Sequence, residues 1–506
     1  MMMTQQRLTS KREQLHQIVD ELLAIVSDGV QQQTPIHEVE LKTFRTLLRA
    51  GQATLQLLVD CLGDGDVGQE HQLPDGKLVK RSQQRQARPY LSIFGELEIE
   101  RYVYAERDGQ KVEFAAVDAR LGLPESKFSY LLQDWDQTFA MEQPFGKVNM
   151  TVEKILGLKQ HVDSLERMNR EMAQPVETFH ALQEAPAAEQ EGEIFVQTAD
   201  GKGVPIRRPA DTPPIHDHRH QRGPKPDRKK MATVGAVYSI DPFRRTPEEV
   251  VQSLFRDLDQ TRPKSQRPRP KHRRMRAMLN HTNREGDAID GRGAVFGWIS
   301  DEMAQRHADS DKPIVCIMDG EKSLWEMRDL FQGQLGMVDV LDLLHVTPRL
   351  WDAASLFHSR DSKAAEKFVR DRVLRILQGK VGAVIRGLRR MGTTHKLSGK
   401  KLTDLNKICG YFATNRRRMR YDEYLACGYP IASGVIEGAC RHVVKDRLER
   451  TGMSWVPQGA QAMLDLRCIY LTEQWEEFTA LRIETETKRL YPYRETLEPL
   501  TWHVAA

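Results

Sequence analysis

Gly192 to Gly201 reads GEIFVQTADG and Pro313 to Gly320 reads PIVCIMDG, two short apolar runs that each stop at an aspartate followed by glycine. Strands covered on both faces read as unbroken apolar runs, whereas half-exposed strands alternate. Two further runs have the same character: KKMATVGAVYSI at 229–240, and MVDVLDLLH at 337–345, which closes on Asp342 and His345. Helical patterning lies between them in GAVFGWISDEMAQRHA and SLWEMRDLFQ. Apolar strands alternating with helices predict an α/β domain with a mixed or parallel sheet, beginning at 192–346. From 347 to 430 the chain is helical throughout and dense in Arg and Lys, which reads as an all-α insertion. Residues 431–506 then return as long helices that complete the core.

Working outward toward the N-terminus, residues 1–63 carry apolar residues at helical spacing (Leu15, Ile18, Val19, Leu22, Leu23, then Leu41, Phe44, Leu47, Leu48) and predict two helices broken near Pro35. A glycine-dotted polar stretch from Gly63 to about Arg88 reads as a linker. Within 90–173, LSIFGELEIERYVYAERDGQKVEFA alternates like a β-hairpin with a turn at Asp108-Gly109. Short helices follow from about Ser126 to Met172. They fit a helix-turn-helix with Lys159, Gln160, His161, Ser164 and Arg167 as candidate recognition side chains, or plain packing. The Ala-, Gln-, Glu- and Pro-rich stretch Gln174 to Glu191 reads as an interdomain linker.

The 506 residues, 40% of them hydrophobic, suffice for two or three domains with their own cores. The net charge is only +4, so the 75 Lys and Arg residues matter for a polyanionic partner through their clustering. Six cysteines without a CxxC pair suggest neither a structural zinc site nor a disulfide framework. No apolar run is long enough to span a membrane and the N-terminus lacks a secretory apolar core, so the expected location is the cytoplasm with no membrane partner.

The two strand-end acids carry the chemistry. Asp200 and Asp319 stand where side chains leave a buried sheet and converge, and two carboxylates there repel unless a cation lies between them. Hard oxygen donors select Mg2+ or Mn2+, and two such ions can serve an in-line phosphodiester displacement. Glu437, at the start of a helix in SGVIEGACRHVVKDRLERTGMSW, is the candidate third ligand, with Arg441 and Lys445 one and two turns further along that face. Taken singly, a strand-end Asp is as readily a helix cap or turn residue, and Glu437 a solvated helix acid.

ADGKGV at 199–204, IMDGEKSLW at 317–325, DLLH at 342–345 and ASGVIEGACRHVVKDRLERTGMSW at 432–455 resemble the motifs of the ISKra family of bacterial insertion-sequence transposases. The resemblance runs from about Phe94 to the C-terminus. It implies an RNase H-like catalytic core interrupted by an all-α insertion and preceded by a mixed helical and β-hairpin DNA-binding region. It also implies a DDE active site of Asp200, Asp319 and Glu437. Asp200 is expected to share both ions, Asp319 and Glu437 to complete one each. Asp342 and His345 resemble an Asp-or-Cys-x-x-His signature of Mutator-like transposases: His345 is expected to orient a phosphate or leaving group or to set the strand end, with Asp342 as its partner. The implied activity is cleavage and transfer of transposon ends, cut-and-paste or copied, with a homodimer or larger assembly on double-stranded DNA because two ends must meet. A nuclease that does not join strands, or a DNA-binding regulator with structural acids, remains an alternative reading.

Basic clusters supply the nucleic-acid candidates. Arg262 to Arg276 (RPKSQRPRPKHRRMR) holds eight Lys or Arg and no acid; Arg207 to Lys230 holds eight against three acids. Such runs suit phosphate contact by counterion release, or are simply solvated loops. Named candidates are Lys202, Arg267, Arg269, Lys271, Arg273 and Arg274. Arg416, Arg417 and Arg418 at the end of the insertion, and Arg441 and Lys445 beside Glu437, join them. His216, His218 and His220 lack the spacing and fourth ligand of a metal site and read as extra cations. Trp455 reads as core packing, with stacking on an unpaired base as the functional alternative.

Overall fold

The computed structural model describes residues 5–107, 109–207, 229–257, 267–282, 286–308, 310–333, 336–450 and 452–497. The chain divides into two compact units, Met1–Pro175 with Trp475–Ala506, and Val176–Gln474. The C-terminal stretch expected to belong wholly to the core is thus shared: 431–474 lies in the second unit, and the helix Trp475–Leu490 lies in the first.

The second unit is built on a five-stranded mixed sheet of β1 (Ile194–Pro205), β2 (Lys229–Ile240), β3 (Lys271–Leu279), β4 (Ile314–Met318) and β5 (Met337–Leu341). Their order is β5-β4-β1-β2-β3, with β1–β2 and β2–β3 antiparallel and β1–β4 and β4–β5 parallel. The apolar runs have the expected cause. Ile194, Val196, Val315 and Ile317 point into one core shared with the insertion, while Phe195, Ala199, Cys316 and Met318 point into another beneath the helices Gly291–His307 and Lys322–Gln332. With both faces covered, neither face needs polar side chains. Gly235 on β2 admits the helix closely: a Cβ there would lie 2.6 Å from Val295.

The insertion consists of the helices Leu343–Ser355, Lys363–Leu377, Val381–Thr394, Gly399–Thr414 and Tyr421–Cys427. Their apolar faces form one continuous core with Val340 and Leu341 of β5. The stretch read as a linker, 174–191, is from Val176 onward part of this unit instead. It contains the helix Val176–Leu182, with Val176 and Phe179 buried, and ends at buried Glu191, which takes two 2.7 Å bonds from the Arg306 guanidinium. Its polar composition concealed a carboxylate that a buried arginine requires.

In the first unit the helices Gln5–Gln31 and Ile36–Cys61 form a hairpin. The strands Gln86–Ser92 and Gly95–Arg101 pair around Ile93-Phe94, with Gly95 at φ 127°, rather than around Asp108-Gly109; Asp108 itself lies outside the described residues. The expected linker 63–88 holds the strands Glu70–Gln72 and Leu78–Arg81, which make a small sheet with Tyr104–Ala105. Tyr130–Glu142, Phe145–Leu156 and Val162–Met172 pack as three helices, the last two separated by a five-residue turn. Lys159, Gln160 and His161 lie in that turn, where Gln160 bonds Asp136 at 3.0 Å; Ser164 and Arg167 lie on the following helix.

Candidate active site

Parallel pairing of β4 with β1 sets Met318 opposite Ala199, so Asp200 and Asp319 stand on neighbouring strands at the same level. β4 ends before Asp319, but β1 runs on to Pro205 with Asp200 paired to Val234 of β2, so Asp200 lies within its strand and not at the end expected. Parallel pairing of β5 with β4 sets Leu341 opposite Met318, which brings Asp342 to that level as well. The backbone holds each acid. Asp200 Oδ1 accepts from Gly201 N at 2.7 Å, and Asp319 Oδ1 accepts from Glu321 N at 2.8 Å. Asp342 is buried and caps the helix Leu343–Ser355 by accepting from Leu344 N at 2.8 Å. His345 Nδ1 stands 3.6 Å from Asp342 Oδ2, an ion-pair distance rather than a hydrogen bond.

The four groups share one field. Burial raises the Asp319 carboxyl above the usual carboxylate range; the Glu321 N–H opposes this, and the negative charge of Asp200 adds to it. His345 is held above the ordinary imidazole range, chiefly by Asp342, with Asp319 and Asp200 contributing. The expected pair of acids is thus adjacent, buried in part and mutually repulsive, with the half-exposed His345 ring beside it.

Glu437 is placed differently. It lies, exposed, on the short helix Gly434–Ala439, whose cap Ser433 bonds Thr198 of β1 at 3.1 Å between hydroxyl oxygens. One turn later, the Cys440 thiol donates to Asp200 Oδ2 at 3.5 Å. Burial, reinforced by Asp200, raises this thiol and keeps it the proton donor. Among the described residues no three His, Cys, Asp or Glu side chains are grouped so as to hold a metal ion. Asp200 and Asp319 come together; Glu437 stands on the neighbouring helix.

Beyond Glu437 the helix widens. Cys440–Lys445 is a π-helical turn, closed by Asp446 N bonding Arg441 O, so Arg441 and Lys445 do not follow Glu437 at regular α-helical spacing as expected. The Arg467 side chain, itself buried, donates to Val443 O at 3.0 Å and to His442 O, fastening this turn to the helix Pro457–Leu471. Trp455 ties the same region to β1: its N–H bonds Pro205 O at 3.0 Å and its indole N–H bonds Leu448 O at 3.1 Å.

The insertion reaches the site through residues that periodicity did not single out. The Tyr411 ring lies against Gly320 so closely that a Cβ would stand 2.2 Å from it, and burial together with the Asp319 charge pushes its phenol up to about 12. The indole of Trp325 donates to Asp319 O at 2.7 Å, and the Arg418 guanidinium stacks on that indole at 3.9 Å. The Asp319-Gly320 turn is therefore gripped from both sides. A signal for Cys440 existed, three residues after Glu437 on one helix face; none existed for Tyr411.

The basic candidates separate by burial. Arg274 is buried, with 2.9 Å bonds to both Glu302 oxygens, and this buried ion pair takes it out of the expected DNA-contacting set; Arg418 is half-buried and stacked on Trp325. Lys271 pairs with Asp241 at 2.9 Å, Arg267 bonds Ser253 at 3.0 Å, and Arg273 bonds Leu471 O at 2.8 Å. Arg269, Arg416, Arg417 and Lys445 are exposed; Arg441 is exposed 3.6 Å from Asp446. Lys202 lines a cavity of about 760 Å³ with Lys229, Lys230 and Arg292, the last two not singled out in the sequence. The histidines 216, 218 and 220 and most of the 207–230 cluster lie outside the described residues.

No family model matches the chain, and no curated protein matches it. Among solved structures, the Drosophila P element transposase strand transfer complex is 10% identical over 77% of this chain and 83% of that chain. Its TM-score is 0.22, too low for the likeness to carry an argument about fold or function. The comparisons leave the site to be read from its own chemistry. Among the described residues no helix is long and apolar enough to cross a membrane.

Proposed function

We propose that the chain is a DNA transposase with an RNase H-like core, in which Asp200, Asp319 and Glu437 carry a metal-dependent phosphodiester cleavage and strand transfer. The observation that carries this reading is the pair Asp200 and Asp319 side by side on neighbouring parallel strands, with the Asp200 charge acting on Asp319. The strand order β5-β4-β1-β2-β3, with three antiparallel strands followed by two parallel ones, is the order of an RNase H-like sheet and supports it. The resemblance of four motifs to ISKra transposases gives the specific activity.

The donor set fits Mg2+ or Mn2+. Both aspartates offer only oxygen, and the Asp200 charge that adds to the burial-driven rise of Asp319 is what a bound cation would relieve. Asp200 and Asp319 would hold the ions, with Glu437 the third ligand brought by its helix. When bound, a pair of such ions favours deprotonation of the attacking oxygen and stabilises the leaving oxygen of an in-line displacement.

The protein's own groups prepare that chemistry. Cys440 and Gly201 N–H fix the two oxygens of Asp200, and Glu321 N–H fixes one of Asp319. His345, whose protonated form Asp342 favours against the opposing effect of burial, would donate to a phosphate oxygen or leaving group beside the aspartates. Lys202 and its neighbouring cations supply a landing surface for the DNA backbone.

The test is a strand-transfer assay with labelled element ends, a supercoiled target and Mg2+ or Mn2+. Joined products that vanish in Asp200→Asn, Asp319→Asn and Glu437→Gln, while end binding persists, are expected. Cleavage without joining would indicate a nuclease, and metal-independent binding alone a regulator.

A further inference from the structure

The N-terminal helical hairpin has an apolar side left exposed among the described residues of its own unit. Its helices bury one stripe against each other, including Ile18 and Thr46, and the Arg49–Glu21 ion pair at 2.7 Å crosses one side of the hairpin. On Gln5–Gln31 a second stripe, Val19, Leu23, Val26 and Val30, is spaced 4-3-4 and is 46%, 66%, 62% and 75% exposed. At 100° per residue these four fall within a narrow arc about a quarter-turn from the packing stripe. Leu41, Phe44 and Leu47 on Ile36–Cys61 are also exposed. Helical phasing puts the first stripe together with Phe44 and Leu47 on the side of the hairpin opposite Arg49 and Glu21, with Leu41 at its outer edge.

From this geometry we infer that a second copy of the chain docks here, the two hairpins meeting face to face as an antiparallel four-helix bundle. The seven side chains expose roughly 700–800 Å² per copy, close to what one partner gives to a standard stable interface. The 4-3-4 spacing is the seam of helices that pack knobs into holes. A two-helix layer with one bare side is completed by an identical layer through a twofold axis, and none of the seven positions carries a charge that would repel its counterpart. The inference stands apart from the catalytic proposal, since no residue of the aspartate site takes part.

Sedimentation equilibrium of the full chain, without DNA and in 0.5 M salt, tests it. The expected mass is twice the 58.1 kDa of one chain at micromolar concentration. The double variant Leu23→Glu, Phe44→Glu should sediment as a monomer, with dimer dissociation raised at least about 100-fold and helical circular dichroism unchanged. Val30→Lys, near the turn, should weaken the dimer about tenfold, and Leu330→Glu, exposed in the other unit, should leave it intact. Wild-type chain that remains a monomer, or a double variant that stays a dimer, overturns the inference. Asp319→Asn should dimerise like wild type, so a failure of the catalytic reading leaves a separate mark.

Discussion

Asp200 and Asp319 are held by the sheet, whereas Glu437 is held by side chains. The two aspartates sit one residue past a parallel pairing, Ala199 opposite Met318, and a backbone N–H grips each carboxylate. Glu437 rides on a six-residue helix that meets β1 through Ser433–Thr198 and Cys440–Asp200 and then opens into a π turn. A ladder register cannot slip by one residue without inverting every buried side chain, so the aspartate pair is preorganised. The helix has no such lock, and its placement depends on a few polar contacts.

The largest difference should appear when those contacts are cut. Arg467→Met takes the guanidinium from the buried Val443 carbonyl and the part-buried His442 carbonyl of the π turn and should lower stability by about 3 kcal/mol in urea unfolding. It should also reduce strand transfer more than it weakens DNA binding, because the aspartates keep their register. Equal losses of both would erase the distinction between the two regions.

A smaller effect tests the grip on the sheet-borne side. Gly320→Ala drives a methyl into the Tyr411 ring and should cost about 2 kcal/mol. Adding Tyr411→Ala should recover part of that stability but not activity, since the Asp319 turn then loses its outer wall. Additive losses in the double-mutant cycle would show that the insertion does not press on this turn.

The sheet was legible because a doubly covered strand leaves an unbroken apolar run, and the Asp-Gly break marks a true strand end at Asp319, whereas at Asp200 the strand runs on to Pro205. What escaped has local physical reasons. Glu191 looks like linker composition until Arg306 is seen to require it. The hairpin turn was placed at Asp108-Gly109, yet Gly95 supplies the positive φ at Ile93-Phe94. Regular spacing from Glu437 to Arg441 assumed an α-helix where the chain forms a π turn, and Arg467, which fastens that turn, lies more than twenty residues away. Arg274 looked like its basic neighbours because Glu302, its partner, sits on another element.

The smallest effect concerns the unit without the site. Burial pushes the Asp136 carboxyl up to about 7 from 3.8, although Gln160 bonds it. Folded protein therefore holds this proton where the unfolded chain has released it, so stability falls as pH rises from about 4 to about 7. Asp136→Asn should stabilise the first unit by about 1–2 kcal/mol at pH 8 and by almost nothing at pH 4 in calorimetric melts. A gain independent of pH would mean that ionisation is not the cause.

The central claim is that Asp200 and Asp319 together hold a divalent cation. Manganese titration of the full chain, followed by electron paramagnetic resonance without DNA, reads this directly. Wild type should bind Mn2+, with Asp200→Asn and Asp319→Asn each weakening binding at least about tenfold and Glu437→Gln less. Unchanged Mn2+ binding in both aspartate variants would contradict the account.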